Sequence, residues 1–126
     1  MSVVLDASAL LAYLHDEPGN EAVEKVLAGA MISTVNLAEV IQKAMARSVE
    51  VQGLRQDLEA LGLDIIPFTA TQAEGAARLW QRTRAFGLSL GDRACLSLGL
   101  ELALPVLTAD QEWRQLELGL EIQLIR

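Results

Sequence analysis

Short apolar runs separated by longer stretches of helical spacing recur along the whole chain. Ser2–Leu5 is an apolar strand, and Ser8–Leu14 carries the apolar spacing of a helix. Pro18-Gly19-Asn20 breaks the chain before a second helix, Glu21–Ala28. Met31–Ser33 reads as a strand, and Ser33 or Thr34 caps a helix that runs to about Arg47. Leu54–Leu61 is helical and Gly62 closes it. Leu63–Pro67 is a strand. Thr71 and Glu74 have capping-box spacing, which predicts a helix from there to about Phe86. Ser89–Leu102 is helical, Pro105–Leu107 a strand, Asp110–Leu116 a short helix and Leu120–Ile125 a last strand. Strands alternating with helices predict a parallel α/β sheet, whose ligands gather at the carboxyl ends of the strands. Asp6 and Asp110 fall just past two of those ends.

Composition narrows the classes. The 126 residues suit one domain spanning 1–126, and at 52% apolar they can build a core. With 4% aromatics that core is mostly Leu, Val, Ile and Ala. One cysteine, Cys95, excludes an intrachain disulfide framework and multi-cysteine zinc sites; one histidine, His15, excludes sites needing two. No apolar run approaches the ~18 residues of a membrane span. Met1 is followed at once by Val3, Val4, Leu5 and Asp6, without a basic leader, so a soluble, cytoplasmic protein is expected. The net charge of −7 argues against a simple basic-patch nucleic-acid binder.

Four acids are candidates for chemistry: Asp6, Glu39, Asp92 and Asp110. Each also has a plain structural explanation. Asp6 and Asp110 suit helix caps. On a helical wheel Leu37, Val40, Ile41, Ala44 and Met45 share the apolar face, which leaves Glu39 opposite with Asn36, Gln42 and Lys43. That is the pattern of a solvated face with a Glu39–Lys43 pair, although such a face can also border a cleft. Asp92 shares its stripe with Leu88, Leu96, Gly99, Leu100 and Ala103, opposite Arg93, Ser97 and Glu101. A carboxylate directed inward must be protonated, paired, hydrogen-bonded or bound to metal. The spacing of Ser89 and Asp92 also fits a capping box. If the four acids converge, their repulsion raises at least one pKa unless cations are present. Carboxylates without histidine or cysteine suit hard cations such as Mg²⁺ or Mn²⁺, which support phosphodiester hydrolysis.

In this order the residues resemble the PIN-domain endoribonucleases, and within them the VapC toxins of VapBC toxin–antitoxin modules. Val4-Leu5-Asp6-Ala7-Ser8-Ala9-Leu10 resembles the first family motif and is followed by Asp16-Glu17-Pro18-Gly19. Ser33-Thr34-Val35-Asn36-Leu37-Ala38-Glu39-Val40 resembles the second, Leu88-Ser89-Leu90-Gly91-Asp92-Arg93 the third and Leu107-Thr108-Ala109-Asp110 the fourth. The resemblance runs from about Val3 to the last strand. It implies a PIN-like three-layer α/β/α sandwich with a central parallel sheet. It also implies that Asp6, Glu39, Asp92 and Asp110 hold one or two Mg²⁺ or Mn²⁺ ions, with Asp6 the central ligand and Glu39 binding metal or a water. Ser8 and Thr108 would hydrogen-bond these groups. The expected reaction is hydrolysis of RNA to a 5′-phosphate and a 3′-hydroxyl. The resemblance further implies a VapB-like antitoxin lying across the site and a homodimer.

Lys43, Arg47 and Arg93, with Arg82 and Arg84 nearby in sequence, are candidate RNA phosphate contacts or ordinary surface charge. His15 reads as a surface residue, Cys95 as buried packing, and Trp80 and Trp113 as core or interface. Two other readings compete. An aspartyl phosphatase or phosphotransferase would use Asp6 as nucleophile, but Ser8 stands where a second Asp is wanted, and the last lysine is Lys43. A non-catalytic protein-binding domain would make all four acids caps and surface charge.

Overall fold

A computed structural model describes residues 2–126. Five parallel strands form one sheet: β1 (Val4–Leu5), β2 (Met31–Ser33), β3 (Asp64–Ile66), β4 (Val106–Thr108) and β5 (Ile122–Leu124). Their spatial order is β3-β2-β1-β4-β5. The helices are α1 (Ala7–Leu14), α2 (Asn20–Val26), α3 (Thr34–Ala46), α4 (Leu54–Ala60), α5 (Ala70–Thr83) and α6 (Leu90–Leu102). The sandwich has the α/β/α form expected from the sequence.

Two cores lie on the two faces of the sheet. Successive side chains of a strand point to opposite faces. Val3, Leu5 and Leu107 therefore join Leu10, Ile32, Leu37 and Val40 under α1 to α4, while Val4 and Val106 join Leu79, Leu96, Leu98 and Trp113 under α5 and α6. These strands are buried on both sides and so read as unbroken apolar runs.

The chain steps outward from β1 to β2 and β3, then crosses over to β4 on the other side of β1. The sheet's switch point thus lies between β1 and β4, paired through Val4 with Val106 and Leu5 with Leu107. A crevice is expected at the carboxyl ends there. Asp6 follows β1 and Thr108 ends β4.

Beyond small shifts of strand and helix ends, three features of capping or helix type differ from the sequence reading. α5 starts at Ala70, because the Thr69 hydroxyl, not Thr71, accepts the Gln72 amide at 3.1 Å. Its last turn tightens into a 3-10 turn, Arg84–Phe86, closed by Gly87 at φ 68°. The segment after β4 is also a 3-10 turn, Gln111–Gln115, too short to settle into an α-helix.

Candidate active site

Asp6 is the centre of the site. Two residues of buried strand deliver it to the switch point, where it caps α1 and is only 4% exposed. Its Oδ1 accepts the Ala9 amide at 2.8 Å and the Ser8 hydroxyl at 2.8 Å. Its Oδ2 accepts the Thr108 hydroxyl at 2.6 Å, across from β4. Ser8 Oγ in turn accepts the Ala109 amide at 2.9 Å, and Thr108 Oγ1 the Asp110 amide at 3.0 Å. The two hydroxyls therefore hold the carboxylate and the start of the loop after β4 together. Burial nevertheless raises the Asp6 carboxyl to about 6, with a further push from the charge of Asp92, against the lowering effect of the Thr108, Ala9 and Ser8 hydrogen bonds.

α6 brings Asp92 to the same end through a true capping box. The Asp92 amide donates to Ser89 Oγ at 3.1 Å, and the Ser89 amide to Asp92 Oδ2 at 3.0 Å. Asp92 is half-buried, and its Oδ1 makes no hydrogen bond among the described residues. Glu39 comes from α3, but its partner is not Lys43. The buried Asn36 donates through Nδ2 to Glu39 Oε1 at 2.8 Å and to the Gly91 carbonyl at 3.0 Å. Gly91 makes this possible, since a Cβ there would sit 2.5 Å from Glu39 Oε2. Asp6, Asp92 and Glu39 all act electrostatically on Cys95, whose fully buried thiol is pushed up first by burial and then by these three charges.

Asp110 stands at the edge of the group. It caps the turn after β4 by accepting the Glu112 amide at 3.0 Å and reaches Asp6 only through Thr108. Among the described residues no three His, Cys, Asp or Glu side chains are gathered into a metal cage. The donor chemistry still fits a hard cation: the central acid is buried, it has no cationic partner among the described residues, and its charged neighbour Asp92 is another carboxylate.

The basic candidates divide. Lys43 and Arg47 line a groove of about 340 Å³ that Ser8 also lines. Arg93 does not face it, because its Nη1 donates to the Ala76 carbonyl on α5 at 2.9 Å. Ser97, placed with Arg93 on an open face by the wheel, is buried and donates to the Gln72 carbonyl. α6 is a central helix, packed against α5 on that side and against the sheet on the other. Arg82 holds the Glu117 carbonyl and Arg84 lies over the half-exposed Trp80, 5.3 Å from the ring centre. Cys95 and Trp113 are buried as expected. The wheel placed Asn36 on a solvated face and so missed it; its i,i+3 spacing to Glu39 was the available signal.

The family model of the PIN domain matches residues 3–118. Ribonuclease VapC30 of Mycobacterium tuberculosis is 34% identical over 108 residues, covering 78% of this chain and 80% of that protein. The chain belongs to the PIN-domain family and, within it, to the VapC ribonucleases. Among solved structures, a toxin–antitoxin complex from Klebsiella pneumoniae superposes with a TM-score of 0.77 at 21% identity, covering 98% of both chains. DNA-bound VapBC from Salmonella typhimurium gives 0.74 at 15% identity, covering 100% of this chain and 99% of that one. At these identities the likeness is one of fold.

Proposed function

We propose that this ribonuclease is a Mg²⁺- or Mn²⁺-dependent endoribonuclease acting as the toxin of a toxin–antitoxin pair. The observation that carries the reading is Asp6: a carboxylate 4% exposed, raised to about 6, held by three donors at the switch point and facing a second acid. PIN-domain ribonucleases generally use divalent metal ions. One or two ions would be held by Asp6 and Asp92, with Glu39 and Asp110 completing the set, and supply Lewis acidity toward the phosphate oxygens. The chain's own groups do the rest. Ser8 and Thr108 fix the orientation of Asp6. Asn36 anchors Glu39 by Oε1 and leaves Oε2 to take the proton of the attacking water. Water adds to phosphorus, the bond to the 3′ oxygen breaks, and the products carry a 5′-phosphate and a 3′-hydroxyl.

The VapBC complexes among the structural neighbours, together with the net charge of −7, support a VapB-like antitoxin whose basic segment covers the site. No described helix is long and apolar enough to cross a membrane, which fits a cytoplasmic toxin. Exposed Met45, Trp80, Leu90 and Leu102 leave apolar surface for a homodimer. The test is cleavage of labelled RNA with Mg²⁺, Mn²⁺ or EDTA by wild type and Asp6→Asn. Cleavage should require metal and fall by about a hundredfold or more in the variant. Full activity of Asp6→Asn, or undiminished activity in EDTA, refutes the reading.

A further inference from the structure

The groove that Ser8 lines is unusual for so acidic a chain. Three cations line it, Lys43, Arg47 and Arg126, against one acid, Glu17. Each oxygen of that carboxylate holds a different guanidinium: Oε2 lies 3.5 Å from Arg47 Nη1, and Oε1 3.5 Å from Arg126 Nη1. The Glu17 backbone is fixed from both sides. Its amide donates to the Ala12 carbonyl at 2.9 Å, and its carbonyl accepts from Asn20 through the amide at 3.1 Å and Nδ2 at 2.7 Å. Arg126 is seated as firmly. Ile125 packs against Gly19 so closely that a Cβ there would meet its carbonyl oxygen at 2.5 Å, and Arg126 Nη1 donates to the Pro18 carbonyl at 3.0 Å. Arg47 also touches His15 Nδ1. Lys43 makes no ion pair among the described residues.

We propose that Arg47 and Arg126 form a subsite for a backbone phosphate of the RNA, and that Glu17 occupies it as a displaceable anion that sets substrate affinity. This rests on the ribonuclease reading. The groove adjoins the site at Ser8, which lines it and also hydrogen-bonds Asp6. Charge-assisted hydrogen bonds are ~2.7–2.9 Å long, so both pairs are loose. Their side chains are 35% to 57% exposed, where such pairs contribute little. Two guanidiniums converging on two oxygens of one anion is also how a phosphate is held. With Glu17 turned aside, no carboxylate side chain among the groove's described lining residues opposes Lys43, Arg47 and Arg126.

The test measures fluorescence anisotropy of a labelled oligouridylate with the full chain in EDTA, alongside RNA cleavage in Mn²⁺. Glu17→Gln should tighten binding about threefold to tenfold. Glu101→Gln, the same change in net charge on exposed α6 surface, should change it by less than about twofold. The double variant Arg47→Ala/Arg126→Ala should weaken binding and reduce the salt dependence by about one phosphate contact. Inorganic phosphate should displace RNA from wild type more readily than from that double variant. Glu17→Gln that matches Glu101→Gln, or binds RNA more weakly, overturns the proposal. Equal tightening toward a polyglutamate peptide also overturns it, by showing a site for acidic polypeptide. If wild type cleaves RNA while Glu17→Gln gains nothing, the subsite is wrong and the ribonuclease reading stands; if it neither binds nor cleaves RNA, both fall.

Discussion

Asp6→Asn should make the metal-free protein more stable at neutral pH while removing its activity. A carboxyl moved from 3.8 in the unfolded chain to about 6 in the fold costs about 3 kcal/mol when ionised. Because the folded pKa is the higher one, the contribution to stability is complete below 3.8 and is lost as pH rises through about 6. Asparagine removes the charge but not the shape. Its oxygen can still accept from Ala9 and Ser8, while its amide faces Thr108 Oγ1, which already accepts from Asp110. Losing that one hydrogen bond costs about 1 kcal/mol at every pH. The net effect is a gain of about 2 kcal/mol at about pH 7.5, and near zero or slightly negative at about pH 4, where wild-type Asp6 is protonated in the fold. The assay is urea unfolding in EDTA at both pH values, followed by the fluorescence of buried Trp113. The decisive quantity is the change in the variant's effect between the two, about 2.5 kcal/mol, because the hydrogen-bond loss cancels from it. An effect of the same size at both pH values would refute the account of Asp6 as a buried charge without compensation.

Three further outcomes follow from the same geometry. Mn²⁺ at about a hundred times its Kd should stabilise wild type by about 2.7 kcal/mol in urea unfolding, and Asp92→Asn by much less. Gly91→Ala places a Cβ 2.5 to 2.7 Å from the Glu39 carboxylate, the far end of a flexible side chain. RNA cleavage should therefore fall about tenfold or more while stability changes by less than about 1 kcal/mol, a split measured by kinetics beside thermal melting. Thr108→Val removes a hydrogen bond that lowers the Asp6 pKa and leaves the Asp110 amide unpartnered. The acid limb of the cleavage pH profile should move upward, and the fold should lose about 1 to 3 kcal/mol.

What could be read in the sequence was whatever depends on neighbours along the chain. Met31–Ser33 gave a strand with the bounds the structure has, Ser2–Leu5 and Pro105–Leu107 gave strands that it trims or shifts by a residue or two, and the Ser89–Asp92 spacing gave a capping box that forms. What escaped depends on packing between distant elements. The wheel of α6 assumed one wet side, but α5 packs over Arg93 and Ser97, so Arg93 Nη1 and Ser97 Oγ donate to α5 carbonyls. The wheel of α3 likewise could not know that α6 would lie against Asn36 and turn a surface amide into a buried clamp on Glu39 and Gly91. Glu17 and Arg126 are 109 positions apart, and only the packing of Ile125 on Gly19 brings them together.

The capping role that the acids have and the metal role proposed for them can share the same carboxylates. Asp6, Asp92 and Asp110 each accept a backbone amide at the start of a turn or helix, as caps do. A carboxylate offers about four lone-pair sites, so one bonded amide leaves most of its capacity open. The cap also removes the rotamer freedom that a ligand would otherwise lose on binding. Asp92 keeps Oδ1 clear of any hydrogen bond, and Glu39 keeps Oε2 clear once Asn36 has taken Oε1. Asp6 is the exception that sets the chemistry. Both of its oxygens are engaged and it is still pushed to about 6, because neutral donors offset only part of the desolvation. A cation would offset that penalty, so on the proposed reading the cost that burial imposes on Asp6 in the metal-free fold would be returned as affinity for metal.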